Sequence, residues 1–596
     1  MPKNARLLLR QSIILFLFVG LAVFLRSSSS NAQKVNRWAP MEQRVRIWDE
    51  VAARQLGLHL PLPTPRPYTV SANGLEATFE KDGVKWTIIG ANAPIVNATV
   101  YPKNWPVKGN GFEVLVIPEP ITNYRILPFT GEIGDAVKSG VIAVTAAKGS
   151  YEPASLVIRS GGSDIKGVMI RASGLEAKVA DRRGNIRTST IPGKDIDIRV
   201  VKCWYQAGIA LTDTRHKTLT PELLLHDDDV VRVDYGRQVN ILRNLGDIMD
   251  SRVLKPFTVP RRQNKQIWVT IRVPGNAAAA YYTGAIRIST PKRLAIIKIR
   301  LRVLPFGLSP PYYTSSIYYR GKIDPQGKGS ISADMKSEAQ LRSELKDMCD
   351  HGVTNPTVYQ YFDKKLLGRY LRIRDELGMG GQPLYYLGFT TRNPTGQEDL
   401  EALKAQTRQL INFTKPFGIP EVFVYGMDEA RGRKLESQRA AWQAVHEAGG
   451  KVFAAGRKKR DFVMADVLDL LISYGGLSRE WAGKWHSKGH KIWSYANPQA
   501  GPEEPETYRR NYGLLLWKNG YDGACTYAYQ DSFGGNIWND FNHPIFRAPV
   551  FAYPTADGII DTIEWEGYRE GVNDVKYLTT LLVLLCHKRS CVSLIS

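Results

Sequence analysis

The sequence predicts a multidomain β plus α/β protein, an N-terminal β-sandwich followed by a (β/α)8 TIM barrel. Short alternating apolar runs between turn signals fill residues 68–305, the pattern of half-buried strands. From Thr314 the period changes to apolar strand-like runs that alternate with amphipathic helical stretches, Lys434–Ala448 and Glu506–Asn519 among them. Between the two patterns lies Leu304-Pro305-Phe306-Gly307-Leu308-Ser309-Pro310-Pro311, a stiff proline-rich connector. At 596 residues the chain is in any case too long for one core.

The first segment, residues 1–32, reads as a signal peptide. Lys3, Arg6 and Arg10 form a basic start, Ser12–Leu25 is apolar or small, and Ser30-Asn31-Ala32 fits a small-x-small cleavage site. An apolar stretch of about 14 residues is short of the about 20 that a membrane span needs. Export is the expectation, to the periplasm, cell surface or medium, and an uncleaved anchor with envelope association is the alternative. Residues 33–67 are a polar, Pro-rich lead.

The predicted sandwich strands are Val84–Ile89, Phe112–Ile117, Gly140–Ala146, Ala154–Arg159, Gly167–Ala172, Asp197–Tyr205, Gln266–Val273, Gly284–Ser289 and Ile296–Val303, with a smaller sheet or extension in front. The barrel is predicted over residues 312–585. Its strands are Ser316–Tyr319, Thr357–Tyr361, Leu384–Gly388, Val422–Tyr425, Val452–Ala455, Leu470–Tyr474, Ile492–Tyr495 and Ala524–Tyr529. Glycines 352, 378, 418, 449, 489 and 520 stand at or just past the intervening helix ends, where a left-handed C-cap is wanted. Eight such units in about 270 residues match the count and length of a (β/α)8 barrel.

Charge and cysteines narrow the function. The net charge of +23 comes without a long Lys/Arg block, so a nucleic-acid arm is not expected. An acidic glycan or anionic surface remains a possible partner, against the plainer reading of a solvated basic surface. The five cysteines have no metal spacing. His226-Asp227-Asp228-Asp229 reads as a solvated turn, His486 and His490 lack an HExxH frame, and no Gly-rich run has the context of a phosphate loop. No metal and no cofactor are expected.

The chemistry is expected at Asp428-Glu429, which closes the apolar run Val422–Tyr425, the fourth predicted barrel strand. Acids at the C-terminal end of a barrel strand are where such enzymes keep their catalytic groups. Adjacent carboxylates at the mouth of a buried strand repel and desolvate each other, which prepares one as a general acid. The plainer reading is a helix N-terminus, where the macrodipole favours acids. Tyr425, Tyr495, Tyr529 and Trp538 are candidates for the floor of a sugar subsite, because sugar C–H faces are apolar, and barrel packing is the competing role. Asp531, just past the eighth strand, is the other well-placed carboxylate and a candidate substrate contact or nucleophile.

From Lys148 to Leu581 the sequence resembles glycoside hydrolase family 123, the β-N-acetylgalactosaminidase-like enzymes. The resemblance rests on Gly149-Ser150-Tyr151-Glu152-Pro153, Leu219-Thr220-Pro221-Glu222-Leu223, Tyr425-Gly426-Met427-Asp428-Glu429, Tyr553-Pro554-Thr555-Ala556-Asp557-Gly558 and Ile563-Glu564-Trp565-Glu566 through Asp574. Each motif is weak alone; their order and spacing carry the likeness. Residues 586–596 depart from the family pattern and read as an atypical or truncated tail. The resemblance implies a retaining hydrolase for terminal β-linked N-acetylgalactosamine or N-acetylglucosamine. Its mechanism is substrate-assisted: Asp428 orients the 2-acetamido group and Glu429 serves as acid and then base. A glycosidase for a sugar without the acetamido group, and a non-catalytic glycan-binding protein on the same fold, are the alternatives.

Overall fold

A computed structural model describes residues 69–70, 76–90, 93 and 104–588, apart from Asp135, Val137, Ser139, Arg182, Ile209 and Pro502. The predicted leader, most of the polar lead and nearly all of the tail lie outside the described residues. Among the described residues no helix is long and apolar enough to cross a membrane.

Two sheets pack face to face in the N-terminal half. One orders Thr218–Leu225, Ile196–Gln206, Asn264–Arg272, Tyr151–Ser160 and Phe112–Ile117 in an antiparallel array. The other orders Phe257–Val259, Ile165–Ala172, Tyr281–Ser289, Leu294–Gly307 and Val141–Lys148, with the hairpin Leu175–Ala180/Ile186–Ile191 beside it. Leu156, Ile158 and Val200 from the first meet Ile286, Ile299 and Leu301 from the second in one core. Leu294–Gly307 shows why: Ile297, Ile299, Leu301 and Val303 are buried and Lys298, Arg300 and Arg302 face water, the period-2 pattern of a one-sided strand. This strand runs through Pro305, past the predicted boundary, with a register shift between Val303 and Gly307 that accommodates the proline.

The expected smaller sheet in front is five-stranded: Thr69–Val70, Glu76–Lys81, Val84–Ile89, Val239–Arg243 and Val231–Asp234. Thr218–Leu225 was not foreseen as a strand. All eight of its residues are buried, so it lacks alternation, and Pro221 reads as a breaker. His226-Asp227-Asp228-Asp229 is not a solvated turn. Asp228 is held between Lys202 and Lys265, Asp227 by Arg243 and Lys255, and His226 by Asp197.

The C-terminal half is a curled, seven-stranded parallel sheet. Its order is Thr314–Ile317, Gly523–Thr526, Lys491–Tyr495, Leu470–Tyr474, Lys451–Gly456, Val422–Tyr425 and Leu384–Thr390. The first and last strands in the sequence pair in parallel, Ser316 with Cys525 and Ile317 with Thr526. Predicted strand Thr357–Tyr361 is corrected: it is no regular strand but a single bridge, Val358 to Tyr386. The segment still bonds to both sheet edges, Thr357 N–H to Ile317 O at 3.0 Å and Val358 N–H to Tyr385 O at 2.9 Å. Pro356 explains the loss of regularity, since it has no N–H to give.

Side-chain alternation sorts this sheet into two layers. Val422 and Val424 face the helices, while Phe423 and Tyr425 join Phe453, Ile472, Trp493 and Tyr495 inside the curl. Two predicted helices are broken. Lys434–Ala448 is split into Arg433–Glu436 and Arg439–Glu447, and Glu506–Asn519 breaks at Gly513. A Cβ at Gly513 would lie 2.3 Å from Arg509 O and 2.8 Å from Gly571 O, so only glycine lets the long helix Ile563–Lys588 pass so close.

Candidate active site

Asp428 and Glu429 follow strand Val422–Tyr425 at the C-terminal end of the curled sheet. Tyr425, the inward-facing last residue of that strand, donates from its hydroxyl to Asp428 Oδ1 at 2.6 Å. Its oxygen lies 3.2 Å from the Tyr318 hydroxyl and accepts the Ala455 N–H at 3.3 Å. Asp428 is therefore tied to the floor of the curl through a buried phenol. Glu429 occupies the left-handed backbone region, φ 43°, held there by its N–H to Ala455 O at 3.2 Å. A non-glycine residue pays strain in that region, and such strain gathers at functional positions. Arg431 lies 4.0 Å from Glu429 Oε2.

The pair is not buried. Asp428 is exposed and Glu429 half-buried, which corrects the expected desolvation at the strand mouth. Desolvation here has to come from a ligand that covers the mouth.

A group of tyrosines surrounds the pair. Tyr495 is edge-on to Tyr318 with centroids 5.8 Å apart, its hydroxyl accepts from Gln499, and it neighbours Tyr474 at 6.0 Å. Burial, and then the charges of Asp428 and Glu429, push its phenol well above the usual range. Tyr359 is raised by burial and feels the charges of both Asp428 and Asp531. Tyr527 packs on Tyr318 at 5.4 Å and donates to Asp531. Asp531 is 3% exposed; it also accepts the Phe533 N–H at 2.9 Å and pairs with Arg320 at 3.5 Å. Three partners on one buried carboxylate describe an anchored residue rather than a free nucleophile.

The structure thus brings Asp428, Glu429, Tyr425 and Tyr495 together, with Asp531 joined to the group through Tyr527, the neighbour of Tyr318. It does not bring Tyr529 or Trp538 there. The regular strand ends at Thr526, so alternation no longer governs Tyr527 to Tyr529. Tyr529 turns into the helix layer, where its hydroxyl donates to Asp347 Oδ2 at 2.7 Å. Trp538 is 1% exposed between Trp204 and Tyr553, and its Nε1 donates to Pro554 O at 3.0 Å. Tyr318, Tyr359, Tyr474 and Tyr527 were missed. Tyr318 and Tyr359 stand in predicted strands, and their inward parity was the available signal.

Other carboxylates are far more buried, at the seam between the two halves. His351 Nδ1 lies 2.9 Å from Asp347 Oδ1 and its Nε2 3.3 Å from Glu566 Oε1; Arg199 pairs with Asp561, and Trp268 Nε1 donates to Glu566 at 2.9 Å. Burial works against the His351 cation, but Asp347 and Glu566 outweigh it and raise its pKa to about 10. A cleft of about 330 Å³ opens here, lined by Asp347, His351, Asp561 and Arg199 among others. Asp347, His351 and Asp561 have the spacing of a cation site. Both ring nitrogens of His351 face carboxylates, though, and Asp561 already holds a guanidinium, so the group reads as an internal ion network.

Neither a protein-family model nor a curated protein matches the sequence. Among solved structures the chain is similar to a family 123 glycoside hydrolase from Clostridium perfringens, described for glycolipid glycan hydrolysis. The TM-score is 0.57 at 13% identity, over 81% of this chain and 90% of that one. Two further glycoside hydrolases match at TM-scores too low to argue from. A β-glucuronidase from Parabacteroides merdae matches at 0.29 and 10% identity, over 68% of this chain and 52% of that one. An endo-β-1,4-mannanase from Thermotoga petrophila matches at 0.28 and 14% identity, over 45% and 77%. At such identities the likeness is one of fold. Over most of its length the chain has a glycoside hydrolase-like fold.

Proposed function

We propose that the chain is an exported retaining glycoside hydrolase. It would release terminal β-linked N-acetylgalactosamine, or N-acetylglucosamine, through an oxazolinium intermediate. The observation that carries this reading is the Tyr425–Asp428 hydrogen bond beside Glu429, at the C-terminal end of a parallel sheet and over a floor of tyrosines. In this reading the sheet is a (β/α)8 barrel, residues 312–585, whose second strand is the irregular segment around Val358. Residues 68–305 form the accompanying sandwich.

The chemistry follows from the order of the groups. The Tyr425 hydroxyl occupies one lone pair of Asp428 and leaves the other oxygen free for the amide N–H of the 2-acetamido group. That hydrogen bond turns the amide oxygen toward the anomeric carbon and supports the positive charge as the C–O bond forms. Glu429 gives its proton to the departing glycosidic oxygen. In the second step it takes a proton from the water that opens the oxazolinium ring. Tyr495 and Tyr318 provide an apolar surface for the sugar ring.

Aryl glycosides of several β-linked sugars test this, with a thiazoline analogue of the oxazoline as inhibitor. Turnover of the acetamido sugars with strong thiazoline inhibition is expected, because a substrate-assisted site is complementary to that shape. Turnover only of sugars without an acetamido group contradicts the mechanism. Measurable glycan affinity with no turnover contradicts the enzyme and supports a binding protein. The N-terminal residue of the secreted protein tests the export signal.

A further inference from the structure

The basic residues that look scattered in the sequence gather on one flank of the mouth. Arg392, Arg431, Arg433, Arg457, Lys459 and Arg479 are all exposed. They lie on the loops that follow Leu384–Thr390, Val422–Tyr425, Lys451–Gly456 and Leu470–Tyr474, or, for Arg433 and Arg479, on the first residue of the helix after the loop; the four strands are consecutive neighbours in the sheet. The loops also touch one another. Asn393 donates to Ser437, Arg433–Glu436 packs on Asp461–Met464, and Lys458 donates to Gly476 O. The flank is therefore continuous.

Two of these cations reach the acid pair and its floor. Arg431 is 4.0 Å from Glu429, and the Arg457 guanidinium lies 4.8 Å over the ring of Tyr474, the neighbour of Tyr495. Among the described residues, the side-chain cations of Arg392, Arg433, Arg457, Lys459 and Arg479 make no ion pair within 4.0 Å; Asp461, which accepts the Arg457 backbone N–H at 3.1 Å, is paired with Arg460, and Glu480 with Lys484. The opposite flank differs: Arg320 there is paired with both Asp334 and Asp531. A merely solvated basic surface gives no reason for unpaired cations to crowd four adjacent loops on one side of the candidate site.

We infer that this flank binds the anionic substituents, sulfate or carboxylate, of the glycan that enters the mouth, so that acidic oligosaccharides are the substrate class. The inference rests on the proposed function only in taking the mouth as the glycan site. Cations with little competition from carboxylates suit it: they hold anionic groups by screened attraction, and the planar guanidinium of Arg457 can stack beside a sugar while it faces an anion.

The test is binding by the full chain to three immobilised probes: chondroitin sulfate, its desulfated form, and its desulfated, carboxyl-reduced form. Affinity is expected to fall in that order, and for the charged probes it should drop about tenfold or more between low and high salt. The first two arms separate sulfate from carboxylate as the preferred group. The triple variant Arg433→Ser, Lys459→Ser, Arg479→Ser, checked for an unchanged melting temperature, should lose about tenfold or more in affinity for the sulfated probe. Equal affinity for the charged and uncharged probes overturns the inference, and so does wild-type affinity in the triple variant. A DNA duplex bound as tightly as chondroitin sulfate overturns it too, since the flank would then be a surface for any polyanion. Aryl glycoside turnover is read separately: if it is absent while anionic glycans bind, the proposed hydrolysis fails and the anionic site stands.

Discussion

The mouth of the curled sheet and the seam between the two halves use the same residue types in opposite ways. At the mouth Asp428 is exposed and has one phenolic partner, and Arg431 lies 4.0 Å from its neighbour Glu429. At the seam Asp347, Asp561 and Glu566 are almost fully buried and paired with His351, Arg199 and Arg569. Strongly raised carboxyls such as Asp561 and Glu570 lie at the seam. Burial, and then the charge of Asp347, raises Asp561 to about 6, and burial with Glu152 raises Glu570 to about 8. Perturbed acids beside a cleft are a common pointer to an active site, yet buried structural networks shift acids just as strongly. The comparison teaches that exposure to a ligand, and freedom to change partners, separate a working carboxylate from an anchoring one.

Substitution breaks this contrast most sharply at the mouth. Glu429→Gln is expected to lower turnover about 10²–10⁴-fold, least for substrates with good leaving groups, without moving the melting temperature. Asp428→Asn should damage turnover whatever the leaving group. If Asp531→Ala abolished activity and Asp428→Asn did not, the nucleophile would be Asp531 and the substrate-assisted mechanism would be wrong.

His351→Ala has the opposite signature. It leaves Asp347 and Glu566 buried without the cation between them, which is expected to cost about 3–5 kcal/mol of stability in denaturant unfolding. An effect on activity with none on stability would move His351 from anchor to chemistry. The same residue predicts a pH dependence. Its pKa is raised from 6.5 to about 10, so the folded chain holds this proton more tightly than the unfolded chain does. The stabilisation is complete below about pH 6.5 and is lost as pH rises through about 10. Glu222, raised to about 8 by burial and then Asp540, acts with the same sign. The melting temperature should therefore fall across that window, and His351→Gln should flatten the fall; an equally steep fall in the variant assigns it elsewhere.

Smaller effects sharpen the contrast. Tyr425→Phe removes one hydrogen bond to a charged group, about 1.5–3 kcal/mol, and should appear in kcat for acetamido sugars rather than in stability. A loss in melting temperature without a loss in kcat would make Tyr425 part of the packing alone. Trp538→Phe gives up the bond to Pro554 O and should cost about 1 kcal/mol of stability with no change in KM. A raised KM would return Trp538 to the substrate site.

Much of this was legible in the chain. Val422–Tyr425 and Leu470–Tyr474 lie where their apolar runs put them, because short parallel strands whose side chains are nearly all buried have no other means of hiding them. Tyr425 and Tyr495 could be assigned inward because each closes a regular strand and keeps its parity. Tyr529 and Trp538 lie beyond regular structure, where parity stops and only packing decides. Thr218–Leu225 hid behind its proline and its lack of alternation, and the second expected barrel strand lost its ladder at Pro356.

Local pattern by itself determined the two kinds of architecture and the position of the acid pair at a strand end. These are set by period, turn chemistry and apolar run length, all short-range properties of the chain. Only the tertiary structure decided which aromatics meet at the mouth, which acids are locked by cations at the seam, and that basic residues from four separate loops form one flank. Strand order brings together segments that are distant in sequence, and burial then fixes which charges are neutralised and which stay free.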